Sequence, residues 1–283
     1  DGVDRHPAVD VDPTNCIINR IVKLLQYLDT QYPAEGWDQF LLPGGAVNWE
    51  KVCASGQSQG GGHAGFAAKR YRLNRCVMFA AMDWYGQPAT WIRRPGATPA
   101  SVCYGLTHSD EVAVQIDKQV ETWQYYGMNA FGPLVNIDSA APPFGGTHEL
   151  TSATPAPAGS TTQQQANFYH NCLSVDKDMA YLPDGTTPVA EDAWVYMLMH
   201  EESSVRTAPK SFAVGGIRTS SIISGAGVEY GSFDIRGRAI FTNRVNKTAV
   251  MVRYTIANRQ TQTGTIVICR EKRLENPFHI VRA

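Results

Sequence analysis

The chain lacks several features that would each define a class of protein. No run of apolar residues approaches the roughly 18 that a membrane-spanning helix needs. The six cysteines include no C-x-x-C pair, which argues against a zinc site. Charged residues make up only 18% of the chain, below the usual ~25%. We therefore expect a protein that has no membrane span, binds no metal and needs no organic cofactor.

The net charge of −1 conceals two regions of opposite charge. Residues 1–204 contain 12 Lys and Arg against 22 Asp and Glu, whereas residues 205–283 contain 13 against 4. All six tryptophans lie in the acidic region. The basic region carries no nucleic-acid-binding motif, and its charge favours docking on the acidic region. The sequence thus predicts two domains, 1–204 and 205–283, and no nucleic-acid partner.

The spacing of apolar residues predicts the class of fold. Strands are expected at 52–54, 76–82, 101–106 and 131–137, and helices at about 13–28, 64–68, 111–126 and 194–199. This alternation is typical of a parallel α/β sheet. A polar stretch at 151–165 predicts a mobile surface loop. Alternating apolar residues from 250 to 256 predict a small antiparallel β module over 205–283.

One motif carries chemistry. Gly56-Gln57-Ser58-Gln59-Gly60 is a G-x-S-x-G sequence between a predicted strand and a helix rich in small residues. In this context the serine occupies a sharp strand-to-helix turn that exposes its Oγ above the sheet. The helix N-terminus then faces the oxyanion that develops during acyl transfer. Ser58 is therefore the candidate nucleophile, and the backbone N–H of Gln59 is the candidate oxyanion donor.

The stretch from Gly56 to Ala64 resembles the elbow of lipase- and esterase-like α/β-hydrolases. The similarity is closest to exported bacterial hydrolase-like proteins, which share motifs matching Gly36-Trp37, the segment from Tyr104 to Asp110 and the segment from Pro142 to His148. It covers about residues 13–200, a region that excludes the C-terminal module. This resemblance implies a serine hydrolase that cleaves a carboxylic ester through an acyl-enzyme, with the triad in the order serine, acid, histidine.

Two residues follow predicted strands where the acid and the base are expected. Asp110 follows the third predicted strand and His148 the fourth, and carboxyl ends of parallel strands form the site edge of such sheets. Ser58 would attack the acyl carbon, His148 would take its proton, and Asp110 would orient the imidazole. Asp83 is the alternative acid, and His170 is the alternative base.

Each candidate also has a purely structural interpretation. Ser58 could be an ordinary loop serine, and Asp110 could cap a helix that begins at Glu111. His63, in the first turns of the helix after the elbow, is expected to be a packed structural residue. His108 is expected either to support Asp110 or to face solvent.

The resemblance also implies strands that the sequence before Ser58 does not contain. An α/β-hydrolase has several strands ahead of its elbow, and the loop after the third supplies a second oxyanion donor. About 50 residues precede Ser58, and they predict mainly one helix. The favoured source of the missing strands is a partner chain from a cleaved precursor, and the basic module is a second source. A third explanation is a non-catalytic binding or structural component that retains the elbow.

The location of the protein is predicted from weaker signals. The sequon Asn246-Lys247-Thr248, an even number of cysteines that permits disulfides, and the resemblance to exported proteins all favour a secreted protein.

Overall fold

The structure is a computed structural model that describes residues 2–3, 10–84 and 86–199, followed by the backbone of four strands between 229 and 270. The chain divides into two compact units, residues 1–52 and residues 53–283. The domain boundary predicted near residue 204 lies outside the described residues.

The helices are α1 (Ile17–Gln31), α2 (Gln59–Arg70), α3 (Ile116–Gln124), α4 (Thr162–Asn171) and α5 (Glu191–Met199). The strands are β1 (Val52–Gln57), β2 (Arg75–Phe79), β3 (Cys103–His108), β4 (Val135–Asn136), β5 (Glu149–Ser152), β6 (Glu229–Phe233), β7 (Ala239–Arg244), β8 (Thr248–Asn258) and β9 (Gln260–Arg270).

The first unit is organised by α1. Ile21, Leu25 and Leu28 lie at helical spacing and are buried, as the sequence predicts. The helix begins later than Asp12 because the carboxylate of Asp12 accepts a hydrogen bond from the N–H of Asn15 (2.7 Å), which closes a separate turn. The helix packs against the 3₁₀ turn Trp37–Phe40 of the same unit.

The second unit contains a parallel sheet, which confirms the predicted α/β class. Its five parallel strands lie in the order β4-β5-β3-β2-β1. β2 and β3 are buried along their whole length, as expected for strands that are covered on both faces. In the sheet order β9 follows β1, and β8 and β9 pair antiparallel. Most of the predicted 205–283 module lies outside the described residues, so the module as a whole stays a prediction.

Helices cover both faces of this sheet. Val77 and Leu106 belong to the same apolar cluster as Tyr196 of α5. On the opposite face a Cβ at Gly105 would lie 2.3 Å from the ring of Trp123, so only glycine lets α3 pack this closely on β3. Both layers leave the carboxyl ends of β1, β2 and β3 to the connecting loops.

The strand next to β3 differs from the predicted one. The apolar run at 131–137 forms only the two-residue strand β4, which lies at the outer edge of the parallel strands. β3 pairs instead with β5, whose four residues contain a single large apolar side chain, Leu150. The predicted loop 151–165 therefore includes the end of β5 and the start of α4.

Candidate active site

Ser58 lies where the sequence predicts, on the turn between β1 and α2. Its backbone has φ 55° and ψ −124°, a region that L-residues rarely occupy, and its N–H donates to the carbonyl of Phe79 (2.8 Å). The residue is half-buried. This geometry is that of a nucleophile elbow.

The glycines of the motif are explained by contact between strand and helix. A Cβ at Gly56 would lie 2.2 Å from the carbonyl carbon of Gly60, so the turn closes only without a side chain there. Gln59 is the first residue of α2, and the backbone N–H groups of a first helical turn have no partner inside the helix. The Gln59 N–H therefore stays a candidate oxyanion donor.

The turn after β3 carries two adjacent carboxylates that differ in exposure. Asp110 is exposed, and its backbone N–H donates to Nδ1 of His108 (3.0 Å). Glu111 is 4% exposed, and its Oε1 accepts hydrogen bonds from the N–H groups of Ala113 (2.7 Å) and Val114 (3.2 Å). These two bonds fix the orientation of the Glu111 carboxylate.

Glu111 pairs with the alternative histidine of the sequence analysis. Nδ1 of His170, in the last turn of α4, lies 2.7 Å from Oε2 of Glu111. The His170 side chain is 19% exposed and thus open to solvent, whereas the Glu111 side chain is fully buried. With Nδ1–H donating to the carboxylate, Nε2 of a neutral His170 carries the lone pair that a general base needs.

A side-chain hydrogen bond connects the backbone of His170 to the elbow. Gln57 immediately precedes Ser58, and its side-chain amide donates to the carbonyl of His170 (3.0 Å) and to Oδ1 of Asn171 (3.3 Å). Asn171 is held from its other side by Asp178 (2.7 Å). The end of α4 is thus fixed beside the residue that precedes the candidate nucleophile.

The structure does not bring His148 to Ser58. His148 comes directly before β5 and is buried, with Nδ1 close to the carbonyls of Ala100 (3.1 Å) and Cys103 (2.9 Å). The strand registers place His148 level with Ser55, which lies three residues before Ser58 and three strands away from His148. The usual strand spacings then put His148 about 17 Å from Ser58. His148 thus precedes β5, a strand that the apolar pattern does not predict, and lies at the amino end of that strand, whereas the base was expected at a carboxyl end.

Asp83, the alternative acid, lies beside the elbow helix α2. A Cβ on Gly62 would lie 2.8 Å from its Oδ1, so the carboxyl group packs on the first turns of α2. Burial raises the pKa of Asp83, and the neighbouring His63 and the side chain of Trp91 oppose that rise.

Sequence reasoning missed two residues of this arrangement. Glu111 is adjacent to the predicted acid Asp110, and sequence cannot tell which of two successive carboxylates turns inward. Gln57 occupies a variable position of G-x-S-x-G, where the motif itself carries no information.

Other predicted features can be compared with the described residues. The five cysteines whose side chains are described are buried thiols that form no disulfide with one another. Burial raises the pKa of the Cys172 thiol to about 12. No cluster of three potential metal ligands occurs in the described part of the chain. Among the described helices, none combines the length and apolar character required to cross a membrane.

The chain matches no protein-family model, no curated protein and no solved structure. The likeness to α/β-hydrolases therefore rests on the sequence motifs and on the local geometry of the elbow.

Proposed function

We propose that the chain is a serine hydrolase that cleaves a carboxylic ester through an acyl-enzyme, with Ser58, His170 and Glu111 as its triad. The observation that carries this proposal is the 2.7 Å contact of His170 with the buried Glu111, on a helix end that Gln57 ties to the elbow. The residues keep the chain order serine, acid, histidine.

Each residue has one task in the proposed reaction. Ser58 Oγ attacks the acyl carbon while Nε2 of His170 takes its proton, and the leaving alcohol then receives that proton. Water, deprotonated by the same nitrogen, hydrolyses the acyl-enzyme and restores Ser58. The Glu111 carboxylate holds the tautomer of His170 and stabilises the imidazolium. The Gln59 N–H stabilises the oxyanion.

A fluorophosphonate probe that reacts with activated serines tests the proposal. We expect labelling of the wild-type protein and none of Ser58→Ala. His170→Gln and Glu111→Gln should lower ester hydrolysis by about 10⁴-fold.

Two matched variants separate this triad from the one that the sequence favoured. Asp110→Asn changes the adjacent carboxylate, and His148→Gln changes the other candidate histidine. Both should retain labelling and turnover. A wild-type protein that the probe does not label would contradict the proposal and favour a non-catalytic binding or structural role.

The source of the strands beside β1 belongs to the same proposal. The predicted partner chain has no support among the described residues, whereas the sheet order places β9 of the chain itself next to β1. That order favours the basic region, proposed to be an antiparallel module, as the source of the additional strands.

Secretion of the protein stays a proposal, and part of its sequon lies outside the described residues.

A further inference from the structure

His108 contacts the three chain segments that surround the Glu111–His170 pair. It is the last residue of β3 and is fully buried. Its ring lies 2.8 Å from the carbonyl of Thr154, accepts the N–H of Asp110, and stacks on Tyr169 with 4.4 Å between the ring centroids. The sequence alone predicts that this histidine either supports Asp110 or faces solvent.

The two ring nitrogens of His108 have opposite tasks. Nδ1 is 3.0 Å from a backbone N–H, so it must be the acceptor. Nε2 faces a carbonyl oxygen and must be the donor. Only the neutral ring with its proton on Nε2 satisfies both neighbours.

The contacts of His108 reach both members of the pair. On one side, Asp110 directly precedes Glu111, whose own N–H lies 3.3 Å from the carbonyl oxygen of His108. On the other side, Tyr169 directly precedes His170 in α4. One ring thus sets both the turn that carries the acid and the helix that carries the base.

The third contact of the ring is itself anchored. The carboxylate of Asp138 accepts hydrogen bonds from the N–H of Ala153 (2.6 Å) and from the hydroxyl of Ser152 (2.8 Å). These bonds fix the backbone that leads to Thr154. The carbonyl that accepts from Nε2 of His108 therefore has a fixed position.

We propose that His108 is a positioning residue that sets the separation of Glu111 and His170 through its Nε2–H tautomer. The inference rests on the proposed function, because its consequence is the alignment of that pair. Since the Glu111 carboxylate orients the imidazole, a displaced Glu111 would slow proton transfer by His170.

Two substitutions separate the contacts of the ring. His108→Gln keeps a donor near the Nε2 position for Thr154 but offers Asp110 no acceptor. His108→Asn keeps an acceptor near the Nδ1 position for Asp110 but has no donor for Thr154. We expect the glutamine variant to lower kcat by about 10- to 100-fold at unchanged KM. The asparagine variant keeps the acceptor for the turn that carries Glu111 but loses the bond to Thr154 and the stacking on Tyr169, so it should lower kcat by a smaller factor.

Kinetic constants and melting temperatures together distinguish positioning from loss of stability. In His108→Gln kcat should fall at unchanged KM in the folded protein, whereas His148→Gln, which removes another buried imidazole, should only lower the melting temperature. A loss of turnover in His108→Gln that matches the unfolded fraction would overturn the inference.

Imidazole NMR of the wild-type protein provides a test that needs no variant to fold. The ¹⁵N spectrum should show the Nε2–H tautomer for His108, and an Nδ1–H tautomer would refute the assignment. Wild-type protein that hydrolyses esters while its His108 variants match it would sink this inference alone. Wild-type protein without probe labelling would instead remove the proposed function on which the inference rests.

Discussion

The backbone of Ser58 stores strain at the residue on which the proposed chemistry depends. At φ 55° and ψ −124° a side chain is costly, by about 1–3 kcal/mol, whereas glycine adopts this region readily. We expect Ser58→Gly to be more stable than Ser58→Ala by about 1 kcal/mol, measured as the free energy of unfolding in urea.

A control for the flexibility of glycine is Ala67→Gly in α2, where no strain is relieved and helix propensity is lost. That variant should lose about 1 kcal/mol relative to wild type. Equal stabilities of Ser58→Gly and Ser58→Ala would mean that the elbow is not strained in solution.

Residue-level prediction from the sequence succeeded where the motif itself dictates backbone geometry. Gly56 and Gly60 flank Ser58 because strand and helix touch there, so the spacing alone located the turn. The proposed acid and base are brought together by tertiary contacts, and the sequence could offer only candidates for them. It included His170 among them, but it favoured His148, whose ring lies between carbonyl groups at the opposite edge of the sheet.

At the scale of elements, β5 shows where pattern reading fails. The strand has four residues, and three of them, Glu149, Thr151 and Ser152, are buried polar residues. Hydrophobic periodicity has no signal in such a segment, whereas the apolar run at 131–137 imitates a strand. His148 was expected at the carboxyl end of the strand before it. Because β5 was missed, the candidate base was predicted at the carboxyl edge of the sheet, whereas it lies at the amino end of β5.

Glu149 makes the stability contributed by β5 dependent on pH. The residue is 3% exposed, and its Oε1 has no hydrogen-bond partner among the described residues. Burial raises the pKa of Glu149 from 4.5 to about 6. The folded state therefore favours the protonated acid. The stability that the protonated Glu149 contributes to the fold is complete below pH 4.5 and is lost as the pH rises through 6.

Glu149→Gln removes this dependence while keeping the size of the side chain. The variant should match wild type near pH 4 and exceed its stability above pH 7, by at most about 2 kcal/mol. Urea denaturation across this pH range measures the difference. A constant difference at all pH values for Glu149→Gln would refute the assignment.

At the scale of the whole molecule, the side of β1 away from β2 needs a pairing strand. An uncovered apolar edge invites pairing with another chain. The sheet order assigns that position to β9 of the same chain, whereas the sequence favoured a partner. We expect native mass spectrometry to show the mass of a single chain. A stable complex with a second, different chain would restore the partner hypothesis.

The class of fold was predictable because buried parallel strands have a strong composition signal, as in β2 and β3. The arrangement of the remaining strands was not, because sheet order depends on contacts between residues that are distant in sequence.

The hydrogen bonds from Gln57 to the end of α4 have a consequence for laboratory evolution. Residues 155–160 connect the region after β5 to α4, and they lie between Thr154, which His108 contacts, and the helix that carries His170. Insertions in this connection lengthen a loop whose two ends are already fixed, and longer surface loops cost little free energy. Loop length at 155–160 can therefore be varied in libraries while the proposed machinery stays in place.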